Sequence, residues 1–247
     1  MKNILMLLLA AGMLSANAYA ADDHLHTGDI ELEVENGQLG THGAAHFQAG
    51  TGYAIYEGDF GDLARGPYAT RAPGFDSHEG TFDADDIIGY KAIGTLWSWS
   101  GTNWTNTVQH GETVKLTGNL GENTFWGSAG VSGDTLGTLG QAESAGNIHE
   151  HLEFSITSAT GTPTIGAYYI TLQLLSADVN STFDGIVQNA KYDLSNPFII
   201  VFNNGLNTAA FEASVDALHV AAVPEPATYG LMLFGLVLLG WQARRKV

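Results

Sequence analysis

Cysteine is absent from the 247 residues, which removes disulfides, thiolate metal sites and thiol nucleophiles together. Any metal this chain holds must be taken by histidine, aspartate and glutamate. Basic residues are nearly as scarce, with nine Lys and Arg against 26 Asp and Glu and a formal charge of −17. Four of the nine, Lys2, Arg244, Arg245 and Lys246, lie at the extreme ends, where only Glu225 is acidic, so the stretch between carries five basic against 25 acidic side chains. Such a surface is a poor partner for nucleic acid or anionic lipid and a good one for cations, and it also keeps the protein in solution. Only six prolines occur, and no proline- or serine-rich linker divides the chain. Residues 21–222 therefore read as one domain, long enough to bury a core without staples.

Long apolar runs are missing except at the two ends. The start, MKNILMLLLAAGMLSANAYA, has one basic residue, an apolar run from Ile4 to Leu14 and the small-residue pattern Ala18-Tyr19-Ala20. It reads as a secretory signal peptide over residues 1–20, since the apolar run is too short to span a bilayer. The other end, VPEPATYGLMLFGLVLLGWQARRKV, is nearly all apolar or small from Ala227 to Ala243 and closes on three basic residues. Such a run predicts a short transmembrane helix of about 25 Å, with the basic tail left cytoplasmic.

Pro224-Glu225-Pro226, the apolar run and the arginine-rich end stand in the order of the PEP-CTERM sorting signal of Gram-negative bacteria, and residues 223–247 resemble it. Residues 1–20 are expected to be removed by signal peptidase, and the resemblance implies processing by an exosortase near the tripeptide. It implies a periplasmic, surface or matrix location, with the helix as an anchor that is at least transient. It says nothing of what the exported body does.

Within the body, helix-period stripes are scarce and short alternating runs separated by Gly, Asn and Asp recur, as in DIELEVENG, TVKLTGN, HLEFSIT and PFIIVFNNG. This spacing predicts an all-β domain, an antiparallel sandwich of jelly-roll-like or similar design. In DIELEVENG, Ile30, Leu32 and Val34 point one way and Glu31, Glu33 and Glu35 the other, with Asn36-Gly37 as a turn. In AYYITLQLL, Tyr168, Ile170, Leu172 and Leu174 form one face. One face of each run is expected to be buried. Phe211, Val215 and Leu218 recur at helical spacing, which predicts a short amphipathic helix near the C-terminus of the body.

The nine histidines are the abundant chemistry of the chain. HEHLEF, residues 149–154, reads as a strand that projects His149, His151 and Glu153 from one face. Two imidazoles at i and i+2 can approach one ion, and further ligands must come from elsewhere. His24-Leu25-His26 repeats the spacing, and His42 and His46 follow it. The predicted metal ligands are thus His149, His151 and Glu153, with His24, His26, His42 and His46 as further donors. Zinc is preferred over other divalent metals because neutral imidazoles and carboxylates suit it. Against this stands the plain alternative that His149 and His151 are the wet face of a half-buried strand, and that DDHLH is an unstructured leader. His78-Glu79 and Asp83, Asp85 and Asp86 form a further acidic cluster.

Trp97, Trp99 and Trp104 admit two readings, a platform for sugar rings and core packing. The segment Phe47–Ser77 is read as a strand and a long loop, or as a binding loop using Tyr68 and Arg71. No nucleophile elbow, HExxH or Ser/His/Asp pattern occurs, and the expectation is a non-catalytic protein.

HLHTGDIELEVENG, GTGYAIYEGDFGD, RAPGFDS, IHEHLEFSI, GAYYITLQL and NPFIIVFN look like a group of PEP-CTERM proteins under zinc-uptake repressor control. That resemblance implies synthesis when zinc is scarce. The resulting expectation is an exported, surface-sorted, non-catalytic metal-binding protein. The alternative is an extracellular matrix protein that associates with exopolysaccharide or binds carbohydrate.

Overall fold

The computed structural model describes residues 28–61 and 66–219. The expected signal peptide, His24, His26, the Pro224-Glu225-Pro226 motif and the expected membrane helix lie outside the described residues. Among those described, no helix is long and apolar enough to cross a membrane.

In chain order the strands are β1 (Ile30–Glu35), β2 (Gln38–His42), β3 (His46–Phe47), β4 (Ala54–Asp59), β5 (Ala69–Thr70), β6 (Phe75–Asp76), β7 (Ile87–Trp99), β8 (Trp104–Thr105) and β9 (Thr113–Thr117). They continue as β10 (Asn123–Gly127), β11 (Gly130–Gly133), β12 (Leu136–Gln141), β13 (His149–Glu150), β14 (Glu153–Thr157), β15 (Gly166–Val179), β16 (Ile186–Gln188) and β17 (Phe198–Asn204), followed by the helix α1 (Thr208–Leu218). The body is all-β with one C-terminal helix, as the alternation predicts.

Three sheets result. An eight-stranded sheet runs β12-β7-β15-β17-β4-β3, with β16 on β15 and β8 on β7; a five-stranded sheet runs β11-β10-β9-β14-β5; a four-stranded one runs β13-β6-β1-β2. Apolar side chains from all three meet in one core, among them Leu32 and Phe75, Leu116 and Phe154, and Ile170 and Ile200. Most pairings are antiparallel, but β1–β6 and β4–β17 are parallel, which period-two patterning cannot foresee.

The two strands read in detail behave differently. In β1, Ile30 and Leu32 are buried and Glu31 and Glu33 are partly exposed, and the turn residue Asn36 has φ 52°. In β15, Tyr168, Ile170, Leu172 and Leu174 enter the main core as expected. Its opposite face is buried too, because Ala167 and Tyr169 lie under α1 and Leu175 and Ala177 lie against Ile186. The helix starts at Asn207, whose side chain accepts from the Ala210 N–H, and it buries Phe211, Val215 and Leu218.

HEHLEF is not one strand. His149 and Glu150 pair with β6 in the four-stranded sheet, and from Glu153 the chain pairs with β9 and β5 in the five-stranded sheet. The neighbouring segment makes the same crossing, with β5 in the five-stranded sheet and β6 in the four-stranded one. The inward series Ile148, Leu152, Phe154, Ile156 keeps its phase across the corner and is interrupted only at Glu150, the last residue of β13.

Candidate metal centre at a sheet corner

Register on the four-stranded sheet sets side chains in lateral rows. His149 lies opposite Asp76, Asp76 opposite Glu31, and Glu31 opposite His42. One step along, His151 and Asp29 flank Gly74. Four imidazole–carboxylate pairs gather on or beside this sheet: His149 Nδ1 to Asp76 Oδ2 at 3.4 Å, His151 Nε2 to Asp29 Oδ2 at 3.6 Å, His78 Nε2 to Glu31 Oε1 at 3.1 Å, and His42 Nδ1 to Glu33 Oε2 at 3.9 Å.

Three of these residues, Asp29, His149 and His151, bring ligand atoms within 4.8 Å of one another. A tetrahedral zinc with bonds of about 2.0–2.1 Å sets neighbouring donors about 3.4 Å apart, so closure needs a movement of about an ångström. The imidazoles are reachable, with 35 % and 37 % of the His149 and His151 side chains exposed, while Asp29 and Asp76 are buried to 7 % and 1 %.

Hydrogen bonding orients the donors. His151 Nδ1 is 3.1 Å from the Arg71 carbonyl oxygen, which can only accept, so the N–H is at Nδ1 and the neutral ring carries its lone pair at Nε2. A backbone carbonyl on the far nitrogen is the usual outer support of a metal-binding histidine. Asp76 offers His149 Nδ1 the corresponding carboxylate. Asp29 Oδ1 accepts the Gly74 N–H at 2.8 Å, which leaves Oδ2 buried and without a hydrogen-bond partner. Asp76 Oδ2 is likewise buried without one. Each of these oxygens faces an imidazole nitrogen at 3.4 or 3.6 Å without a hydrogen bond, and a shared cation, or a proton on the ring, relieves a buried carboxylate so placed.

Gly74 makes the approach possible. A Cβ built there would stand 2.5 Å from His151 Cε1, 2.7 Å from His151 Nδ1 and 2.9 Å from Asp29 Oδ1. Only the absence of a side chain lets imidazole and carboxylate meet across the central strand.

The other predicted donors lie elsewhere. Glu153 is on β14 opposite Thr117, past the corner, and is not in the three-residue group. His42 is at the far edge of the sheet. His46 is on β3 of the eight-stranded sheet, its ring edge-on to His219 at 5.3 Å. Asp29 and Asp76 escaped the sequence reading. Asp29 had a signal, since it extends the outward series Glu31, Glu33, Glu35 back by one step of two; Asp76, isolated in GFDS, had none. Tyr68 packs against the main core, and the Arg71 carbonyl orients His151.

Comparison with curated proteins and with solved structures gives no match. Residues 222–246 match the family model for the PEP-CTERM protein-sorting motif, and a motif of this kind implies an exported, sorted protein that is processed by an exosortase.

Proposed function

We propose that the exported body binds a divalent metal, zinc by the chemistry of its donors, through Asp29, His149 and His151, and that it does no catalysis. One observation carries the reading. His151 Nε2 and Asp29 Oδ2 are both acceptors when the ring is neutral, and they face each other at 3.6 Å. A shared cation turns that repulsion into attraction. Three protein donors leave a coordination position to fill. His24 and His26 precede Asp29 by three to five residues, and five extended residues reach about 18 Å, so either histidine is within chain length of the site. The likeness to chains under zinc-uptake repressor control supports a role when zinc is scarce.

A proton could serve in place of the metal, and the two are separable. Competition with a chromophoric chelator at pH 7.5 should show a tight zinc site, and acidification should weaken it because protons compete with the metal for the imidazole nitrogens. Replacing His149 and His151 together with Ala should remove it, and Asp29→Asn should weaken it at least tenfold. If the double variant holds zinc as tightly as the parent, the corner is only a set of ion pairs.

A further inference from the structure

The three tryptophans that the sequence leaves between two readings pack against the smaller apolar cluster on the face of the eight-stranded sheet that carries α1, opposite the main core. Tyr169 lies opposite Trp97, and Trp99 opposite Trp104. The rings form a continuous series: Trp97 stacks on Tyr169 at 5.7 Å and 8°, Trp104 meets Tyr169 edge-on at 5.0 Å, and Trp99 tilts against Trp104 at 5.7 Å. The helix covers part of this series, and the Trp104 indole N–H donates to the Ser214 carbonyl at 2.8 Å.

Packing alone does not account for the remainder. All three indoles stay partly exposed, and they border a cleft of about 500 Å³ between the sheet, the Gln48–Ala49 loop and the last turn of α1. Small-molecule sites commonly measure about 300–1,000 Å³. Among the described residues no charged side chain lines this cleft, although the body carries 25 acidic residues. Its polar groups are amides and hydroxyls, chiefly those of Gln48 and Asn103. Half-exposed aromatic faces with uncharged hydrogen-bonding groups beside them suit a ligand with an apolar face and a hydroxylated edge. The C–H groups of a pyranose ring carry slight positive charge and meet the negative face of an indole, while its hydroxyls meet the amides. An anionic polymer would gain no counter-charge here and would be repelled by the rest of the surface.

We propose that this cleft binds a neutral oligosaccharide, with Trp97 and Trp99 as the stacking surface and Gln48 and Asn103 as hydrogen-bonding partners. The site is independent of the metal corner.

The test uses the full-length chain in a sugar-free detergent. It is titrated with cellohexaose, laminarihexaose, maltohexaose and chitohexaose, and with hexagalacturonate as the anionic comparison. Tryptophan emission and saturation-transfer NMR are the readouts. At least one neutral hexasaccharide should give a saturable shift below 1 mM, and hexagalacturonate none. Trp99→Ala should weaken that binding at least tenfold. Asn103→Ala, an exposed loop change that cannot disturb the core, should weaken it threefold or more. Absence of any saturable response from the neutral panel at 5 mM would overturn the proposal. So would equal binding of the anionic sugar, or binding unchanged in both variants.

Discussion

At the scale of single residues, Gly74 decides more than any charged group. Its replacement by alanine puts a methyl group where the His151 ring and the Asp29 carboxylate converge, so one of them must turn away. Gly74→Ala is expected to lower zinc affinity at least tenfold in chelator competition. In the proposed site Asp76 would act through His149, and losing such an outer partner typically costs about 10–100-fold in metal affinity. Asp76→Asn keeps the shape and removes the charge, and a loss within that range, with zinc still bound one per chain, marks Asp76 as a positioning residue. Loss of the site altogether would make it a ligand.

Among elements, the helix offers the cleanest measure of local stability. Asn207 caps it by accepting from the Ala210 N–H, and removing an N-cap costs about 1 kcal/mol. Asn207→Ala should therefore lower the urea midpoint modestly with the slope unchanged. This helix was legible in the sequence because Phe211, Val215 and Leu218 keep its period. Strands β1 and β15 were legible for the same reason. What could not be read was which strand neighbours which. Residues 149–154 keep their inward phase, broken only at Glu150, while changing sheets, since alternation records which side chains face inward and not which backbone lies alongside. The sequence spacing groups Glu153 with the histidines, whereas the fold sets it on β14 beyond the corner and the parallel β1–β6 pairing brings Asp29 beside them. The histidine pair itself was visible in the spacing.

Across the whole molecule, buried tyrosines set the alkaline limit of stability. Burial pushes the Tyr56 and Tyr169 hydroxyls up to about 12, and it raises Tyr90 and Tyr168 further still. A folded-state pKa above the unfolded value of about 10 means the stability is fully present below pH 10 and is lost as pH rises toward the folded values. Thermal midpoints should hold between pH 7 and 9.5 and fall steeply above 10.5. Export and processing are checked at the same scale. Intact-mass measurement on protein from its native host should show a chain lacking residues 1–20 and the segment beyond Pro226. A stable product still carrying Trp241 and Arg244 would refute the C-terminal cleavage.

The corner also has a consequence in time. Asp29 and His151 come together only after β1 has found β6 and β6 has found β13, pairings between segments far apart in the chain. The unfolded chain thus holds only the local His149–His151 pair, and long-range strand pairing is slow. Metal that arrives after the corner has formed cannot hasten its formation, but it must be released before the corner opens. In stopped-flow experiments zinc should leave the refolding rate unchanged and slow unfolding, so the ion acts as a latch on a finished structure.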